Sequence, residues 1–169
     1  MVIGKDPGTT RRIEIHKLAP GLGLVDMPGY GRSIRGGRDA EDQIKDQILS
    51  FLKENAANII LVVHVVNTGT FIETMGRLDK KGFIPVDVEM VHYVKRDLGI
   101  PVLVAANKVD KAGVTEMGEN LDALKEELGP SIPVYPVSAR TDYGIPALKD
   151  EIRRRLVDAG FQSPFESLR

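Results

Sequence analysis

The stretch "IPVLVAANKVD", Ile100 to Asp110, holds an unbroken apolar run and then turns abruptly to asparagine, lysine and aspartate. A half-exposed strand alternates apolar and polar residues; a continuous β-branched run belongs to a strand covered on both faces, as in parallel sheets. "IILVVHVV", Ile59 to Val66, is a second run of this kind. Between the two lie "TFIETMGRLDKKG" and "VDVEMVHYVKRDLG", helical patterns that each close with glycine. Beyond them come a helix, "TEMGENLDALKEELG", an apolar run, "IPVYPVSA", and a last helix, "IPALKDEIRRRLVDAG". Strands alternating with helices predict an α/β domain on a mostly parallel sheet, with helices on both faces.

Upstream, "RRIEIHKL" alternates like a half-exposed strand, and "GLGLVDMPG" is a short apolar run that ends in a turn signal. "DAEDQIKDQILSFLKENAAN" reads as an amphipathic helix, with Ile44, Ile48, Phe51 and Leu52 at helical spacing behind an acidic first turn. The residues from Phe161 to Arg169 read as a loose tail. The 169 residues are 42% hydrophobic and 28% charged, enough for one core and a single domain. A formal net charge of -1 gives no global attraction to nucleic acid or membrane. No cysteine is present, which excludes disulfides, thiol catalysis and thiolate metal sites, and fits a reducing cytoplasm. No apolar run nears the ~18–20 residues that span a bilayer, so a soluble, cytoplasmic protein without membrane contact is expected.

In such sheets ligands collect where strands end. Three strand ends carry a set of groups that suits a guanine nucleotide. Asp110 could accept two parallel hydrogen bonds from the ring N–H and exocyclic amine of guanine, a donor pair that adenine lacks. Lys108 can lay its aliphatic stem along the base, Asn107 can tie the loops together, and the backbone N–H of Ala139 is free for the guanine oxygen. The two loops supply Asn107, Lys108, Val109 and Asp110, and then Val137, Ser138 and Ala139. At the third strand end stand Asp26, Met27, Pro28 and Gly29. There Asp26 would orient water in a magnesium shell, and Gly29 would offer its N–H to a γ-phosphate with no Cβ in the way.

With D-x-x-G, N-K-x-D and S-A-x in this order, the chain resembles a translation-factor-type GTPase. "GKDPGTTRR" resembles the switch I segment of the EngB (YihA/YsxC-like) GTP-binding proteins, whose P-G-x-T threonine binds magnesium. That implies a nucleotide-contacting segment of Gly8, Thr9, Thr10 and Arg11, with Thr10 joining Asp26 as a metal ligand. "VDMPGYG" resembles the family's D-x-P-G-[YF]-G, and N-K-x-D instead of T-K-x-D points to an archaeal-type member. The resemblance spans roughly residues 4 to 157. It implies a P-loop GTPase-like (Ras-like) fold, GTP or GDP with Mg²⁺ as ligand, slow hydrolysis, and a role in ribosomal large-subunit assembly with cell-division and septation phenotypes.

One motif of the class is not found in these residues. G-x-x-x-x-G-K-[ST], the P-loop that wraps the β-phosphate, should follow a first strand and open a first helix. Gly4-Lys5 does not serve, because Asp6 and Pro7 follow it. Residues 1–159 are therefore expected to form a G domain without its first strand, P-loop and first helix, and 160–169 a tail. A start assigned too far downstream is the favoured explanation, with a fragment or a degenerate GTPase as alternatives. The competing functional reading is a non-enzymatic remnant that binds a ribosomal or protein partner without nucleotide. Tyr30 stands where many GTPases keep a water-orienting glutamine, a departure the family shares. Arg32, Arg35 and Arg38, and Arg153 to Arg155, read first as solvated faces and second as contacts for ribosomal RNA. His16, His64 and His92 are isolated and read as packing or surface residues.

Overall fold

In the computed structural model, residues 12–29, 38–80 and 83–162 are described. They divide between two compact units, Met1–Asn58 with Gly160–Arg169, and Ile59–Ala159. In the first unit, β1 (Glu14–Ala19) pairs antiparallel with β2 (Leu22–Asp26), so that Glu14 stands opposite Asp26 and His16 opposite Leu24. Gly21 makes the turn between them at φ 76, a left-handed conformation that a side chain resists. The register slips between Lys17 and Ala19, which makes Leu18 the extra residue of a bulge. The helix α1 (Arg38–Asn55) follows and buries Ile48 and Leu52, four residues apart on one face.

The second unit is the layered one. Its sheet has the order β3 (Val62–Asn67), β4 (Val102–Asn107), β5 (Val134–Pro136), all parallel. The central strand β4 is buried from Val102 to Ala106, as the unbroken apolar run predicts. On one face Leu103 and Ala105 pack with Val137 and with Leu148 of α5 (Ile145–Asp158), and Val63, Tyr135 and Ile152 close around them. On the other side, α2 (Phe71–Asp79), α3 (Val86–His92) and α4 (Val114–Leu128) pack together, and α3 lies on β3. Their buried apolar residues are Phe71 of α2, Val88, Met90 and Val91 of α3, and Met117, Leu124 and Leu128 of α4. Among the described residues β3 is an edge strand, and its Val65 is 60% exposed.

Two details depart from the periodicity. The helical pattern from Val86 to Gly99 is α-helical only to His92; Tyr93–Asp97 form a π turn, in which the Leu98 N–H reaches back five residues to the Tyr93 carbonyl. The strand in "IPVYPVSA" is only three residues long. Pro133 and Pro136 lack an N–H, and the chain turns into a loop after Val137, whose N–H still donates to the Ala106 carbonyl.

Candidate nucleotide site

Two loops meet at the carboxyl ends of β4 and β5. Parallel pairing sets Ala106 beside Pro136, and the backbone extends the ladder by one rung on each side. The Val137 N–H donates to the Ala106 carbonyl at 2.9 Å, and the Val109 N–H donates to the Val137 carbonyl at 3.3 Å. The Asn107 side chain then acts as a bridge. Its Oδ1 accepts the Lys108 N–H at 2.8 Å and the Ala139 N–H at 3.1 Å. The Ala139 amide, expected to be free, is thus engaged, because the Asn107 oxygen lies within its reach. Lys108 is exposed and sits at φ 70, in the left-handed region that non-glycine residues rarely adopt. The Lys111 N–H donates to the Lys108 carbonyl and closes this turn at 3.0 Å. Gly69, in the loop after β3, packs close to Lys111 and Lys108.

Asp110 is the most constrained charge in the region. Its Oδ1 accepts the Ser138 hydroxyl at 2.6 Å and its Oδ2 accepts Arg140 Nε–H at 2.7 Å. The Ser138 hydrogen bond, with help from Arg140, holds the carboxyl below the usual carboxylate range against the opposing effect of burial. Ser138 is fully buried, and its Oγ also accepts the Thr141 N–H at 3.2 Å. The Ser138 N–H donates to the Tyr143 carbonyl, so the loop folds back on itself before α5 begins. Gly144 enters α5 at φ 71, where a Cβ would collide with the Pro136 carbonyl.

The remaining motif residues lie in the other unit. Asp26 ends β2 with an exposed carboxylate; Met27 is half-buried, Pro28 buried and Gly29 exposed. A Cβ at Gly29 would meet none of the described atoms, so packing does not require glycine there. A hard carboxylate oxygen at a strand end suits magnesium, which keeps much of its water. Among the described residues no three His, Asp or Glu side chains converge on a metal position. Gly8, Thr9, Thr10 and Arg11, with Tyr30, Arg32 and Arg35, lie outside the described residues.

The motif spacing missed Arg140, since S-A-R by itself has no specificity. It also missed the turn at Asp142 and Gly144, both left-handed, although D-Y-G is a turn signal. The arginines of α5 prove to be paired: Arg153 with Asp150, Arg154 with Glu151 and Asp158, and Arg155 with Glu151. This supports the solvated-face reading over the nucleic-acid one. His64 Nε2 lies 3.0 Å from Asp87 Oδ1 and links β3 to α3. His92 Nε2 donates to the Glu127 carbonyl at 3.1 Å, tying α3 to α4.

Comparison with known proteins fits this geometry. A family model described as "50S ribosome-binding GTPase" matches residues 1–108. The chain is similar to a solved structure of "a probable GTP-binding protein engB", with a TM-score of 0.78 and 31% identity over 88% of this chain and 83% of that one. It also aligns with the solved structure of Era in complex with MgGDPNP and a 16S ribosomal RNA segment, at TM-score 0.59 and 20% identity, over 91% of this chain and 47% of that one. That likeness concerns fold alone. The fold is that of a P-loop GTPase. Among sequences, the chain is 36% identical to the "Probable GTP-binding protein EngB" of Methanopyrus kandleri, over 94% of this chain and 81% of that protein. It is 38% identical to the Methanosarcina barkeri protein of the same description, over 91% and 76%. The chain belongs to the EngB family of GTP-binding proteins.

Proposed function

We propose that the chain binds guanine nucleotides with the base read by Asp110, and that it works as a slow GTPase in ribosomal large-subunit assembly. The observation that carries this reading is the oriented Asp110 carboxylate, held between Ser138 and Arg140 beside the Asn107 bridge. Such a group accepts the two parallel donors of guanine; adenine would leave it unpaired. Lys108 covers the base with its aliphatic stem, Val109 and Val137 set the loop spacing, and Ala139 exchanges its bond to Asn107 for the guanine oxygen. By motif order, Asp26, Met27, Pro28 and Gly29 serve the phosphate end, with Gly8, Thr9, Thr10 and Arg11. Thr10 and Asp26 would hold Mg²⁺, which when bound would neutralise phosphate charge. Tyr30 cannot orient an attacking water as a glutamine amide does, which is why hydrolysis is slow. The family model's description, a 50S ribosome-binding GTPase, supports the large ribosomal subunit as partner; ribosomal RNA as the surface contacted is the further part of this proposal. A cytoplasmic setting and a role in cell division and septation complete the proposal.

The test is equilibrium binding of GDP and ADP to the chain and to Asp110→Ala. GDP should be favoured over ADP by about a hundredfold or more, and Asp110→Ala should erase most of that preference. Equal binding of the two nucleotides, or an unchanged preference in the variant, overturns the assignment of Asp110.

A further inference from the structure

The carboxylate assigned to the base already has a partner on each oxygen, and the two partners differ in kind. Ser138, on Oδ1, is fully buried and fixed by its own loop. Arg140, on Oδ2, reaches in from solvent: its side chain is 69% exposed, whereas that of Asp110 is 12% exposed. A buried hydroxyl stays where the fold puts it. An exposed guanidinium is held by an ion pair that water and salt weaken, and it can leave without disturbing the core.

We propose that Arg140 is a specificity-determining residue: it competes with the 2-amino group of guanine for Asp110 Oδ2, and so narrows the discrimination between guanine and hypoxanthine nucleotides. The inference rests on the reading of Asp110 as the base-recognising group. Guanine carries a ring N–H and a 2-amino group on the edge that faces a carboxylate, and hypoxanthine carries the ring N–H alone. With Arg140 in place, hypoxanthine can use its ring N–H while Oδ2 stays paired to the guanidinium. Guanine gains its second bond only by displacing that guanidinium, so the bond is an exchange. Without Arg140, Oδ2 stands unpaired beside hypoxanthine and paired beside guanine. Leaving a largely buried carboxylate oxygen unpaired costs far more than exchanging one donor for another. The base preference therefore sharpens when Arg140 is removed.

Competition binding of GDP and IDP to the full chain tests this, with wild type, Arg140→Ala, Arg140→Gln and Asp110→Ala compared at low and high KCl. Taking the ratio of the two dissociation constants cancels the contributions of phosphates, metal and sugar. The IDP-to-GDP ratio should rise about three- to tenfold in both Arg140 variants. In wild type it should climb with salt as the ion pair weakens, and in the variants it should stay flat. The same ratio in wild type and both Arg140 variants overturns the proposal, provided Asp110→Ala still brings the ratio near one. If Asp110→Ala leaves the ratio unchanged, or neither nucleotide binds, the reading of Asp110 fails and takes this inference with it.

Discussion

Ser138 shows how one hydroxyl serves both stability and recognition. It donates to Asp110 and accepts from the Thr141 N–H, so its removal loosens the carboxylate and the loop together. The Asp110 carboxyl titrates lower in the folded chain than in the unfolded one, first because of Ser138. A depressed folded value means that its contribution to stability is complete above the unfolded carboxylate range. It is lost as pH falls through the lowered folded value. Ser138→Ala should therefore be less stable than wild type at neutral pH, and the gap should narrow on acidification. Urea unfolding of both proteins from pH 7 to pH 3 measures it; a gap that is constant or widens in acid would mean that Ser138 acts through packing alone. Asp110 and Asn107 are legible in the sequence because N-K-x-D at the end of an apolar strand is a specific pattern. The Arg140 contact is not legible, because an arginine after Ser-Ala has many rotamers and only the fold brings it to Oδ2.

Elements here are set by where their ends must go. α5 begins at Gly144, whose φ of 71 lets the chain turn from the Ser138 loop directly beneath the Pro136 carbonyl. Gly144→Ala adds both a left-handed penalty and a clash with backbone, which cannot swing away as a side chain can. It should cost roughly 2 kcal/mol or more and lower guanine-nucleotide affinity, since the same turn carries Ser138. Denaturation together with GDP binding checks both; a variant as stable as wild type contradicts the placement. Later in α5, Glu151 accepts from Arg154 and Arg155, and these bonds hold its carboxyl below the usual range. The helices were readable because their apolar spacing and closing glycines are local properties. The π turn after His92 was not, since a single extra residue in a helix leaves no mark on periodicity. The short β5 was equally hidden, because "IPVYPVSA" states an apolar run but not where its pairing stops.

At the scale of the molecule, the parallel sheet of β3, β4 and β5 is the part most fully written in the sequence. Two strongly apolar runs, the first interrupted only by His64, with helical patterns between them allow few other arrangements. The separation into two compact units was not legible, because it depends on which strands pair, and pairing partners are not encoded within a strand. The central claim is that Asp110, at the end of the central strand, reads the base. Asp110→Asn replaces one acceptor by a donor and suits xanthine, which carries a carbonyl where guanine carries the amine. Competition of GDP and XDP for wild type and Asp110→Asn tests this most directly. The account predicts that wild type prefers GDP and that the variant prefers XDP, a swing of about a hundredfold or more between the two ratios. An Asp110→Asn protein that remains folded and keeps the wild-type preference for GDP would contradict it.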